Sequence, residues 1–159
     1  MKKLVATLLG VSFVSLLASC GGGGTAQAPV DDSPEGQAFQ YRRAVMQSIA
    51  YKVGQIRGIA QGEIAGDQAT FVKHANDVAV LGAMIPEGFI PNSAVAGSAA
   101  LPEVWTNIAD FQAKSMALAN AAQALATAAQ SNFESAKGMV QSVGGTCGDC
   151  HRPYRRRQE

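Results

Sequence analysis

Three residues near the carboxy terminus have the types and the spacing to do chemistry. Cys147-Gly148-Asp149-Cys150-His151 reads C-x-x-C-H, the attachment signature of a c-type haem. Two thiols at this spacing add across the haem vinyl groups as thioethers, and the histidine that follows offers its imidazole to the iron. Helical positions three and four apart share one face. Cys147, Cys150 and His151 therefore point the same way, toward a flat macrocycle lying along that face. A C-x-x-C pair also serves as a disulfide, a redox dithiol or half of a zinc site. Zinc needs further ligands, and Cys20 and His74 are the other Cys and His of the chain. A thioredoxin-like dithiol sits near a βαβ pattern, which this sequence lacks. The expected cofactor is one covalently bound haem c per chain.

The elements that must hold this motif read as helices. The 159-residue chain is rich in alanine and poor in turn signals, and alanine is the strongest helix former. Ser33-Pro34-Glu35 is a helix start, with a cap residue, proline at the first position and an acid in the first turn. The segment runs to about Gln61, with Arg42, Met46, Ile49, Val53, Ile56 and Ala60 as a bundle seam. Arg42 is charged, so it is expected at the end of the core, where it reaches solvent or an anion. Asp67 caps a second helix ending near Met84, its stripe being Phe71, His74 or Ala75, Val78, Leu81 and Ile85. Residues 86–101 carry turn chemistry and form a loop, with Phe89 and Ile90 placed to fold back as a lid.

Pro102-Glu103 opens the third helix, with Trp105 as a packing anchor and Ile108, Phe111, Ser115, Leu118, Ala122, Leu125 and Ala129 as its seam. Ser131 with Glu134 reads as a capping box for the fourth helix. There Ala136, Val140, Val143, Cys147, Cys150 and Tyr154 continue the stripe, so the haem motif lies in the core face of the last helix. Gly144 and Gly145 precede it by a turn; each costs about 1 kcal/mol relative to alanine in a helix. Close approach of the macrocycle or a local kink would explain them. Four amphipathic segments predict an all-α, antiparallel up-down-up-down four-helix bundle with the haem at its C-terminal helix.

The amino terminus reads as an export signal. Lys2 and Lys3 precede an apolar stretch from Leu4 to Leu17, too short to span a bilayer comfortably. Leu17-Ala18-Ser19-Cys20 resembles the lipobox of bacterial lipoproteins, in which the cysteine is lipidated and becomes the first mature residue. An ordinary signal peptide cut between Ala18 and Ala28 is the alternative. The expected organisation is a signal peptide over 1–19, lipidated Cys20 with a Gly-rich tether over 20–32, and a four-helix-bundle haem domain over 33–159. That places the protein on the periplasmic side, anchored to a membrane by lipid. Loss of residues 1–19 leaves 11 basic against 12 acidic residues, a formal charge of about −1. No overall basic bias points to nucleic acid. The Arg152, Arg155, Arg156, Arg157 tail complements a helix C-terminus or, as a sharper reading, docks a partner.

These residues together resemble the cytochrome c′ family over about residues 36–157. The resemblance rests on Cys147, Cys150 and His151 followed by Tyr154 and Arg155, on Arg42 one turn before Met46, and on Pro102-Glu103-Val104-Trp105. It implies thioethers at Cys147 and Cys150, His151 as the axial iron ligand, and Arg155 beside that imidazole. It also implies haem contacts for Arg42 and Arg43, and a loop from Phe89 to Ser93 closing over the haem edge. Many members carry Gln where this chain has Arg43, and Ala94-Val95-Ala96 departs from the family's glycine-rich loop.

Met46 decides the chemistry of the iron. If it packs over a five-coordinate iron without bonding it, the pocket admits NO or CO. If its sulfur is the sixth ligand, the protein is a low-spin His/Met electron carrier. A core filler is the plain alternative for this methionine. His74 reads as a surface or packing residue, and Met84, Met116 and Met139 as core. A peroxidase needs a polar distal group to move protons, and the expected distal wall of Met46, Ile49 and Phe89 offers none; no enzyme activity and no catalytic residues are expected. A redox partner protein, a diatomic gas and a homodimer through the first two helices are the expected associations.

Overall fold

A computed structural model describes residues 31–157. The signal segment, Cys20 and most of the tether lie outside the described residues. The described residues form six α-helices and one 3-10 turn: α1 (Pro34–Gln61), α2 (Gln68–Met84), the turn Ile85–Gly88, α3 (Glu103–Thr106), α4 (Ile108–Ser131), α5 (Phe133–Lys137) and α6 (Val140–Tyr154). The long helices α1, α2, α4 and α6 make the four-helix bundle that the sequence predicts. Among the described residues no helix is long and apolar enough to cross a membrane.

The first two helices start and stop where local chemistry dictates. The Ser33 hydroxyl accepts from Gly36 N–H at 3.1 Å, and the Asp67 carboxylate accepts from Thr70 N–H at 2.8 Å. Each satisfies a backbone donor that the first helical turn leaves without a partner. Gly62, at φ +75°, ends α1 in the left-handed conformation that glycine adopts without strain.

The other two predicted helices are each broken. The third divides at Asn107 into α3 and α4. The fourth divides at Gly138 and Met139 into α5 and α6. The capping box at Ser131 and Glu134 does not form. Asn132 caps instead, its side chain accepting from Ser135 N–H at 3.0 Å, while Ser131 still belongs to α4 and Glu134 pairs with Lys137. An asparagine is as good a cap as serine, and it stands one residue later, where the chain has already left the helix.

The core is densest between α2 and α4. Phe71, Ala75 and Val78 from α2 meet Leu118, Ala122, Leu125, Ala126 and Ala129 from α4, all buried. A Cβ on Gly82 would come within 3.1 Å of the Ala119 backbone, and the Ser115 hydroxyl donates to Gly82 O at 2.6 Å. Small residues here bring the two backbones together, and the one buried hydroxyl has a partner. Phe133 of α5 closes that end against Phe71, ring centroids 5.3 Å apart.

Two expectations about the core are corrected. On α1 Arg42, Ile49 and Ile56 of the predicted seam are buried, together with Val45 and Ile59, whereas Met46, Val53 and Ala60 are half-buried. Half of the seam thus holds, and at the other positions the buried stripe is displaced by one residue, with Val45 and Ile59 inside in place of Met46 and Ala60. Met116 and Met139 are exposed and Met84 is half-buried, so none of these three is core; Ala and Phe fill the interior in their place.

Candidate functional site

The motif sits in the middle of α6, an unbroken helix from Val140 to Tyr154. Val143 and Tyr154 are its buried residues, and they tie it to the core. Cys147 and Cys150 are half-buried and packed against the same core, and both thiols are free. Burial raises both thiol pKa values above the ordinary cysteine value; the Arg57 charge opposes this weakly at Cys147, and Lys114 does so at Cys150. A reactive redox dithiol works the other way, with a lowered pKa. The pair therefore lacks the electrostatics of a dithiol catalyst.

His151 is exposed, at the last turn of α6. Partial burial of its ring, and then the nearby Arg155 charge, hold its pKa below the ordinary histidine value. The neutral imidazole this favours is the form that binds metal.

Opposite α6 stands the flank of α1 that the bundle does not claim. Met46, Val53, Arg57 and Ala60 are spaced by seven, four and three, which puts them on one face. Met46, Val53 and Ala60 pack on the edge of the same core cluster that Cys147 and Cys150 border. The two helices touch only sparingly, while α2 and α4 pack along their lengths. Gly144, one turn before Cys147 on the same face, would meet nothing within 4 Å if it carried a Cβ; the same is true of Gly145. The helix continues through both without interruption. A half-covered apolar seam, two thiols at its wall and a glycine facing open space fit a flat macrocycle.

The Arg42 side chain has a different place from the expected one. It is 4% exposed and does not reach solvent. Its guanidinium donates to Gly88 O at 3.0 Å, Ser93 Oγ at 3.1 Å, Ser93 O at 2.5 Å and Ser98 Oγ at 3.1 Å. It lies between the Phe39 and Phe89 rings, 5.0 and 5.2 Å from their centroids. Burial lowers its pKa, yet a guanidinium stays charged in any protein, and four acceptors compensate it. A Cβ on Gly88 would collide with the Arg42 Cβ at 2.7 Å, so glycine is what lets the loop backbone reach this cation.

The remaining predicted residues fall around this hub. Ser93 is fully buried, and its hydroxyl donates to Ile90 O at 2.7 Å. Phe89 folds back as expected, 4.6 Å from the Phe111 ring and 6.2 Å from Trp105, and the Trp105 indole N–H holds Ile90 O at 2.9 Å. Arg43 is exposed beside Phe39. Tyr154 is buried against Phe111, and its hydroxyl donates to Asp110 at 2.6 Å, which pushes its pKa up to about 12. Arg155 is exposed just past the helix end. His74 is far from this group in its setting, half-buried among Lys52, Lys73 and Asp77, with Nδ1 buried and unpartnered. Sequence reasoning missed Ser98, Asp110 and Arg57. Nothing local marks them, since each matters through a residue far along the chain.

A four-helix bundle with C-x-x-C-H on its last helix defines the class, a bundle-type c haem protein. A cytochrome C′ family model matches residues 37–155. Cytochrome c′ of Cereibacter sphaeroides is 33% identical over 118 residues, covering 72% of this chain and 79% of the relative. The solved structure of cytochrome c prime from Shewanella frigidimarina is 33% identical with a TM-score of 0.72, covering 80% of this chain and all of that one. A nitric oxide complex of a mutant cytochrome c prime from Alcaligenes xylosoxidans has a TM-score of 0.70 at 24% identity, covering 80% of this chain and all of that one. The chain belongs to the cytochrome c′ family, and its cofactor is covalently attached haem c, whose attachment motif Cys147, Cys150 and His151 fit.

Proposed function

We propose that this protein is an exported, lipid-tethered haem c protein that binds NO or CO and passes single electrons. The observation that supports the reading is the C-x-x-C-H motif on α6, with Cys147 and Cys150 half-buried against the core cluster that Met46, Val53 and Ala60 of α1 also border. Cys147 and Cys150 fix the macrocycle along α6, and His151 offers its neutral imidazole as the axial ligand. An iron held by one imidazole supplies a one-electron couple and an open axial position. Met46 walls that position with a thioether and no exchangeable proton. Val53 and Ala60 keep the seam apolar. Arg42 holds the 88–98 loop down, which places Phe89 at the edge of the site and excludes water from it. Arg155 sets the charge beside the imidazole. No acid or base stands on the Met46 flank to move protons in peroxide chemistry, so no saturating peroxidase turnover is expected at neutral pH.

A second reading has its own support. Met46 is half-buried at the edge of the core, and a thioether is a known haem iron ligand. Bonding through its sulfur would make the protein a low-spin His/Met electron carrier. Absorption spectra of oxidised, reduced and NO-treated protein decide between them. A high-spin ferrous spectrum that shifts on NO addition supports the first. A far-red sulfur–iron band in the oxidised protein, with no response to NO, replaces it with the second. Globomycin-sensitive processing and a diacylglyceryl mass at Cys20 would test the lipid tether; a mature protein starting elsewhere would refute it.

A further inference from the structure

The end of α6 carries a concentration of cations that the fold does not use. Arg152, Arg155, Arg156 and Arg157 are all exposed, in a chain with 13 basic and 12 acidic residues in total. Compensation of the helix dipole explains little of this. A helix C-terminus carries about half an elementary negative charge, and Arg152 already lies in the last turn, paired with Asp149. Among the described residues no carboxylate pairs with Arg155, Arg156 or Arg157.

The backbone beneath these side chains is built, not trailing. At Arg155 it turns extended, with φ −126° and ψ 129°. It then pairs antiparallel with residues 99–101. Leu101 N–H donates to Tyr154 O at 3.0 Å, Arg156 N–H donates to Ala99 O at 2.8 Å, and Ala100 bridges Arg155. Tyr154 is held from below by Phe111 and Asp110. The backbone of Arg155 is thereby held one turn past His151, with Arg156 and Arg157 next along the chain. Cations gathered at one place on a near-neutral molecule focus a field there.

We propose that Arg155, Arg156 and Arg157 form a docking surface for an acidic protein partner that exchanges electrons with this chain. The proposal rests on the electron-transfer part of the function proposed above. Each exchange moves one electron between the iron and a one-electron centre of the partner; one is oxidised, the other is reduced, and no proton or bond changes hands. Asp149 pairs with Arg152 one turn before the cluster, and Asp110 accepts from Tyr154, the residue just before Arg155. This mixed-sign pattern suits the shaped surface of a protein better than the uniform negative charge of a lipid bilayer.

The test uses the matured, haem-loaded full chain and its R156E/R157E variant. The first readout is binding to poly-L-glutamate at low and high salt. The second is oxidation of the reduced protein by anionic ferricyanide and by cationic tris(phenanthroline)cobalt(III). In the unmodified protein, polyglutamate binds at low salt and is released by salt, and ferricyanide oxidation slows as ionic strength rises. The charge reversal abolishes polyglutamate binding, lowers the ferricyanide rate by roughly tenfold at low salt and raises the cobalt rate. Unchanged polyglutamate binding and unchanged salt slopes in the variant overturn the docking surface. So does a variant whose rates are unchanged but which loses binding to phosphatidylglycerol vesicles, since the patch then reads lipid. If neither oxidant reacts, the electron-transfer reading fails by itself, and polyglutamate binding still decides whether the patch selects an acidic surface.

Discussion

The α2–α4 half of the bundle and the α1–α6 half use the same kind of helix and reach opposite ends. Between α2 and α4 every contact closes: Gly82 lies against Ala119, Ser115 satisfies Gly82 O, and Phe71, Val78 and Leu125 are fully buried. Between α1 and α6 the apolar flank stays half-covered, and Gly144 faces open space. The difference teaches where stability and function are separated. One half completes itself with side chains; in the function proposed above, the other is completed by its cofactor.

The largest expected effect breaks the open half alone. Replacing both thiols, Cys147→Ser with Cys150→Ser, should abolish covalent haem, read as the loss of the haem mass from the intact protein. The helical circular dichroism should survive, because α2 and α4 do not depend on these residues. A collapse of helicity in that variant would show that the two halves are not separable. Breaking the closed half instead, Phe71→Ala should cost about 3–5 kcal/mol in urea unfolding, the range for truncating a fully buried phenylalanine. Haem should still attach to the fraction that folds.

Arg42 lies on the boundary between the halves. Arg42→Met keeps the volume but strands the carbonyls of Gly88 and Ser93, at a cost of about 1–3 kcal/mol for each acceptor left unsatisfied. Protease cleavage within residues 88–98 should then rise, and unchanged protection would show that the guanidinium does not hold the loop. Gly144→Ala sharpens the comparison further. Without haem the variant should gain up to about 1 kcal/mol through helix propensity, while the yield of attached haem falls. A gain without any loss of yield would mean that the open space at Gly144 has no occupant.

The smallest effect concerns pH. The Tyr154 phenol has a folded pKa raised to about 12 by its hydrogen bond to Asp110, against about 10 for an ordinary tyrosine. The folded state holds this proton more tightly, so the contribution is complete below pH 10 and is lost as pH rises through about 12. Tyr154→Phe should remove that part of the alkaline loss of stability. An unaltered profile between these pH values would assign the loss to other groups.

Much of this was legible in the chain because it is local. Caps at Ser33 and Asp67, the Gly62 stop and the C-x-x-C-H spacing each act within a few residues. The breaks at Asn107 and Gly138 were not legible, since a single weak helix former such as asparagine or glycine is tolerated inside many helices and packing decides where the helix stops. On α1 two adjacent apolar stripes compete, one through Met46 and Val53, the other through Val45 and Ile56. Which of them the bundle buries is a tertiary choice that periodicity leaves open. The partners of Arg42 lie at least 46 residues away, so its charge suggested solvent or an anion, whereas the loop carbonyls supply the acceptors.

The short pairing of residues 99–101 with 154–156 makes a mechanical strap. At Ser98 it is bolted to the first helix through Arg42, and at Leu101 to the residue before Arg155. A displacement of Arg42 on the first helix would therefore reach Tyr154, three residues past His151, along one stretch of backbone that bypasses the interior.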